Sequence, residues 1–222
     1  MSAPSFAGFS PAAIKFLGDL RANNNRAWFA THKVAYEHEI KLPAEAFCSA
    51  MSNMLAELTG RPHAARIFRI HRDVRFSKDK TPYNAHLHIA FTPEGKAAAP
   101  PLWFFGLDPD KLSLGTGLFA FDKDGLDRFR QRIDGPEGEE IVALLGELQA
   151  SGVRLCEPDL KRVPAGFAQD HPRADLLCRK SLAAWIDVDD PSAACRPDLI
   201  ATCRAAFVQL RPVFDLLLDE AD

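Results

Sequence analysis

Apolar positions near the start of the chain recur three and four residues apart, the spacing of one face of a helix. Ser10 ahead of Pro11 predicts an N-cap and first turn, with Ile14, Leu17 and Leu20 following on one stripe. Asn23, Asn24 and Asn25 stop that helix and cap a second, on which Trp28, His32 and Tyr36 share a stripe that reads as core; a third helix is predicted over residues 43–58. From Arg66 the period changes to two. Phe68, Ile70, Arg72, Val74 and Phe76 fall on one parity, mostly apolar, and Arg69, His71, Asp73 and Arg75 on the other. Residues 84–92 repeat the alternation, with Leu87, Ile89 and Phe91 on one side and Asn84, His86 and His88 on the other.

Short apolar runs at 102–107 and 111–121, separated by an Asp-Pro-Asp turn, read as further strands. Helical patterns return at 122–133 and 137–150, a strand pattern at 182–188, and a last helix at 197–218, bent at Pro212. Helices, then a strand meander, then helices again predict an α+β fold: a mostly antiparallel sheet flanked by N-terminal and C-terminal helices. With 222 residues, 47% of them hydrophobic, the chain is long enough to bury roughly 70% of its unfolded surface. No linker, low-complexity tract or internal repeat divides it, so one domain over residues 1–222 is expected, with its core at about 8–218. The first residues lack a basic and apolar leader pattern and no apolar run reaches membrane-spanning length, so a soluble, cytoplasmic protein without membrane partners is expected. The five cysteines are odd in number and never spaced C-x-x-C, which argues against a disulfide framework or zinc knuckle and for small buried hydrophobes.

Charge sharpens this picture. The whole chain carries −3, yet residues 61–86 hold five arginines and two lysines against Asp73 and Asp79, a local +5. If the two alternating runs form a hairpin closed by residues 77–82, with both apolar faces on one core, their polar faces coincide in a basic shelf. One register sets Arg75 opposite Asn84, Asp73 opposite His86 and His71 opposite His88; a slip of two residues would preserve the faces and change the partners. An acidic chain with one concentrated basic patch suits a discrete, phosphate-bearing small anion. Candidate binding residues are Arg69, Arg72, Arg75, Lys78, Lys80 and Tyr83, although the parity of Arg72 places it among core residues, where it would pair with an aspartate. A nucleic-acid module using the shelf and Tyr83 is the alternative, as is an interaction scaffold without a ligand, and an ordinary solvated sheet face carries the same pattern.

Whether the protein is an enzyme is open at this level, and no cofactor is indicated. His71 with Asp73 are candidates for a general acid and base, and His171 is a third. His71, His86 and His88 would be the candidates for a metal site, but the nearby arginines oppose a divalent cation and no metal is predicted. The G-x-G-x-x-A match at 115–120 continues apolar and strand-like where a dinucleotide site needs a helix to open, so it reads as a strand. His38 and Glu39 are followed by Leu42 where a metalloprotease helix needs its second histidine, and neither a G-x-S-x-G elbow nor a Walker loop occurs. Residues 166–180 join a polar turn to a short helix, with Asp170 or His171 as cap and Pro172 in first position.

NNNRAWF at 23–29, RIHRDVRFSKDKTPYNAH at 69–86, LGTGL at 114–118 and LKRVPAGFAQDHPRADLLCRKSL at 160–182 together resemble Domain of Unknown Function family 2461, a bacterial and fungal group. The resemblance spans roughly residues 8–218. It implies a single-domain protein and transfers no catalytic role, because no activity is assigned to the family.

Overall fold

A computed structural model describes residues 6–95 and 100–218 of the chain. Three helical segments open it: α1 (Pro11–Ala22), α2 (Arg26–Ala35), continued by a π-helical stretch at Tyr36–Lys41, and α3 (Leu42–Thr59). Strands β1 (His63–Ile67), β2 (Leu87–Pro93), β3 (Leu102–Leu107) and β4 (Leu112–Leu118) follow, then helices α4 (Lys123–Asp134) and α5 (Glu137–Ala150). The short strand β5 (Arg154–Leu155), the single turn α6 (Ala174–Leu177), strand β6 (Leu182–Val188), a 3-10 turn at Pro191–Cys195 and helix α7 (Leu199–Leu218) complete it. The six strands hydrogen-bond in the order β1-β2-β3-β4-β6-β5, and the fold is α+β as the patterning predicts.

Residue chemistry at the helix ends explains their positions. Ser10 accepts from the Ala13 N–H and also donates to Glu39 Oε2 at 2.5 Å, tying α1 to the π-helical stretch. Asp122 caps α4 through the Gly125 N–H at 2.7 Å. Helix α7 runs unbroken through Pro212 rather than ending there. The chain divides into two compact units, each built from several segments. In the first, Phe9, Phe47 and Phe105 pack ring against ring beneath the sheet, with Phe47 and Phe105 centred 4.4 Å apart. In the second, Trp103 stacks on Phe214 at 4.5 Å and 15° and tilts against Phe207. Cys48, Cys178 and Cys203 are buried as expected, whereas Cys156 and Cys195 are half-buried; all five are free.

The glycines of the 115–120 match are strand glycines. A Cβ on Gly115 would lie 2.3 Å from Trp185 Cε3, and one on Gly117, whose φ is +151°, would lie 2.3 Å from the Leu182 carbonyl oxygen. The β6 neighbour therefore approaches β4 too closely for any side chain at either position.

One expectation is corrected. The strand predicted to run through Phe76 ends at Ile67, and its register pairs His63 with Pro93 and Ile67 with Ile89, not His71 with His88. Pairing persists for one residue, through the Phe68 N–H to the His88 carbonyl, and then resumes out of step. Asn84 donates to the Ile70 carbonyl, Arg72 to that of Pro82, and His71 bridges Tyr83. Residues 85, 86 and 87 thus stand opposite Arg69 alone, a bulge with two extra residues that breaks the alternation. Beyond it Phe76, expected in the core, is 96% exposed, while Ile70 remains buried.

Candidate functional site

The asparagine run positions the basic segment. Asn23 closes α1 by donating its side-chain N–H to the Asp19 carbonyl at 2.9 Å, and Asn25 opens α2 by accepting from the Trp28 N–H at 2.9 Å. Asn24, between them, accepts from the Tyr83 N–H at 3.0 Å and donates to the Tyr83 carbonyl at 2.9 Å. One carboxamide thereby acts as a strand partner for the loop that the ladder has abandoned. Tyr83 is buried and stacked on Phe29 at 4.2 Å, and His71 meets both rings edge-on.

A cleft of about 680 Å³ opens beside the bulge, lined by residues 66–69 and 71–73 together with Asn84, His86 and His88. It holds three guanidinium groups, those of Arg66, Arg69 and Arg72, against the single carboxylate of Asp73. Arg66 lies over the Phe68 ring at 4.7 Å. Arg72 pairs with Asp79 at 2.5 Å and also donates to the Thr81 hydroxyl, the internal aspartate pairing its parity predicts. The Thr81 N–H and then Arg72 hold the Asp79 carboxyl down at about 2. Asp73 accepts a fork from Arg75, through Nε at 3.0 Å and Nη2 at 2.7 Å, which lowers its pKa. Among the described residues no carboxylate forms an ion pair with Arg69 or Arg66.

The remaining predicted ligand residues stand elsewhere. Arg75, Lys78, Lys80 and Tyr83 do not line the cleft; Lys80 instead ties the loop by donating to the Val74 carbonyl at 3.0 Å. No hydrogen bond joins His71 to Asp73, whose carboxylate is turned to Arg75. His171 accepts from the Arg173 N–H at 3.0 Å and lies 3.2 Å from Asp134, so it serves the turn before α6, which starts at Ala174 without a side-chain cap.

His86 and His88 stack face to face, centres 3.6 Å apart and 17° from parallel, with His88 edge-on to Phe104. Burial, and then the neighbouring imidazole, push His88 down to about 4; burial lowers His86 as well, with Arg72 adding to it and Asp108 opposing. Both shifts disfavour the charged imidazolium. Among the described residues no three His, Cys, Asp or Glu side chains gather to hold a metal ion, so His71, His86 and His88 do not converge as a ligand set. Sequence reasoning missed Arg66 and Phe68 as cleft residues. Arg66 was visible within the local charge surplus, but the long strand placed its parity on the apolar side.

Fold and cleft together define an α+β protein with a cationic, imidazole-lined surface cleft. Among the described residues no helix is long and apolar enough to cross a membrane. The profile of the conserved hypothetical protein family DUF2461 matches residues 12–216, and the chain belongs to that family. No curated protein matches it.

Proposed function

We propose that the cleft beside the β1–β2 bulge binds a small anion bearing a phosphate group. The observation that carries this reading is the charge imbalance of the cleft: of its three arginines Arg72 is paired with Asp79, Arg66 and Arg69 form no ion pair among the described residues, and the one carboxylate of the lining, Asp73, is already occupied by Arg75. Among the described residues Arg69 forms no ion pair, although its charge helps lower Asp73, and Arg72 is steered by Asp79, so one guanidinium is available and another is preoriented for forked contacts to phosphate oxygens. The volume falls within the range of small-molecule sites, about 300–1,000 Å³.

Isothermal titration with inorganic phosphate and pyrophosphate tests it. Binding should weaken about tenfold or more in Arg69→Gln, corresponding to one lost charge-assisted contact. Equal affinity in wild type and variant removes the cleft from consideration. A second reading, a single-stranded nucleic-acid surface, is favoured by Phe76, which stands exposed with Arg75 5.9 Å from its ring. That reading requires oligonucleotide affinity to fall steeply with salt and to depend on Phe76.

A further inference from the structure

We infer, resting on the anion-binding reading above, that the ligand of this cleft is a nucleotide, its phosphate held by Arg69 and Arg72 and its base laid on the outer face of His86. A bare phosphate has no use for the rest of the cleft. The His86–His88 pair is already a two-ring stack at 3.6 Å, and its inner end is closed because His88 abuts Phe104 edge-on. Among the described residues no ring covers the other face of His86, so a flat aromatic group placed there becomes the third member of the stack.

A second platform stands in the same cleft. Phe68 is 37% exposed and carries the Arg66 guanidinium over its ring, an arrangement that offers both a π face and a cation to a base. Burial lowers both imidazoles, which disfavours added positive charge beside the arginines, and what the pair offers a base is the flat face of His86. The cleft therefore divides by chemistry into a cationic part and a flat aromatic part. A sugar phosphate or a dicarboxylate would leave the second part unused.

Isothermal titration with each of the four ribonucleoside 5′-monophosphates, ribose 5-phosphate and inorganic phosphate tests the inference on the full chain. The best nucleotide should bind about tenfold or more tighter than ribose 5-phosphate, the range expected for stacking one base. His86→Ala should erase that preference while leaving ribose 5-phosphate affinity unchanged, and His86→Phe, which keeps a flat ring, should restore it. Arg69→Gln should weaken all the phosphates together. Equal affinities for ribose 5-phosphate and every nucleotide in wild type overturn the nucleotide and leave the phosphate reading standing. No binding by any probe overturns both. A nucleotide preference that survives His86→Ala overturns the placement of the base.

Discussion

Asn24 shows how much one side chain can decide here. Its carboxamide makes both hydrogen bonds to the backbone of Tyr83 at a point where the sheet no longer supplies them. Removing it leaves a buried segment with an unpaired N–H and carbonyl, at a cost of roughly 1–3 kcal/mol. Asn24→Ala should lower the urea midpoint accordingly and accelerate exchange of the Tyr83 amide; an unchanged midpoint with Tyr83 equally protected would refute the clamp. His88 sets a pH dependence at the same scale. Its folded pKa of about 4 lies below the unfolded value near 6.5, so between these the unfolded chain binds more protons. The associated stability is fully present above pH 6.5 and is lost as pH falls toward 4, by on the order of 3 kcal/mol. Urea melts at pH 7 and pH 5 on wild type and His88→Phe should show the variant losing less; equal losses would assign the effect to other groups, such as His63 or His86.

Elements whose signal is local and repetitive were legible, and those set by a distant neighbour were not. Helix α5 and strands β3 and β6 begin and end where hydrophobic period and flanking turn residues place them. Strand β1 was misread because its alternation continues past Ile67 in sequence while the bulge at residues 85–87 ends the pairing in space. A period-two pattern reports the preference of one strand and carries nothing about the partner's length. The cleft was legible for the same reason in part: local charge excess marked Arg69 and Arg72 and alternation marked the histidines, but the assignment of faces depended on a register that pattern alone leaves open. Gly115 shows a neighbour's constraint directly. Alanine there would drive its Cβ into the Trp185 ring, and since Trp185 packs against Phe119, relief requires moving a ring inside the sheet's packing. Gly115→Ala should therefore destabilise by about 1–3 kcal/mol, read by urea denaturation followed by tryptophan fluorescence. A neutral substitution would mean that the β4–β6 approach is looser than the structure describes.

At the scale of the whole molecule, the chain passes between its two compact units five times, at residues 94, 103, 114, 186 and 205. Three of those passages fall within strands, β3 after Trp103, β4 after Leu114 and β6 after Ile186, and a fourth falls within α7 after Ala205. Neither unit is a continuous stretch of sequence, so neither can be released as a fragment by a single cut, and unfolding one would require breaking strands that also belong to the other. We propose that the protein behaves as one domain and unfolds in one cooperative transition. Scanning calorimetry should then give a calorimetric enthalpy equal to the van't Hoff value, and in a Trp28→Phe background, which leaves Trp103 and Trp185 of the second unit as the emitters, the tryptophan signal should coincide with the Tyr83 amide, which reports the first. Two resolved transitions, or protection of Tyr83 lost at a denaturant concentration where Trp103 fluorescence is still native, would make the cleft part of a separately folding body. In that case its ligand would stabilise only that body, and the melting shift expected from nucleotide or phosphate would appear in one transition and be absent from the other.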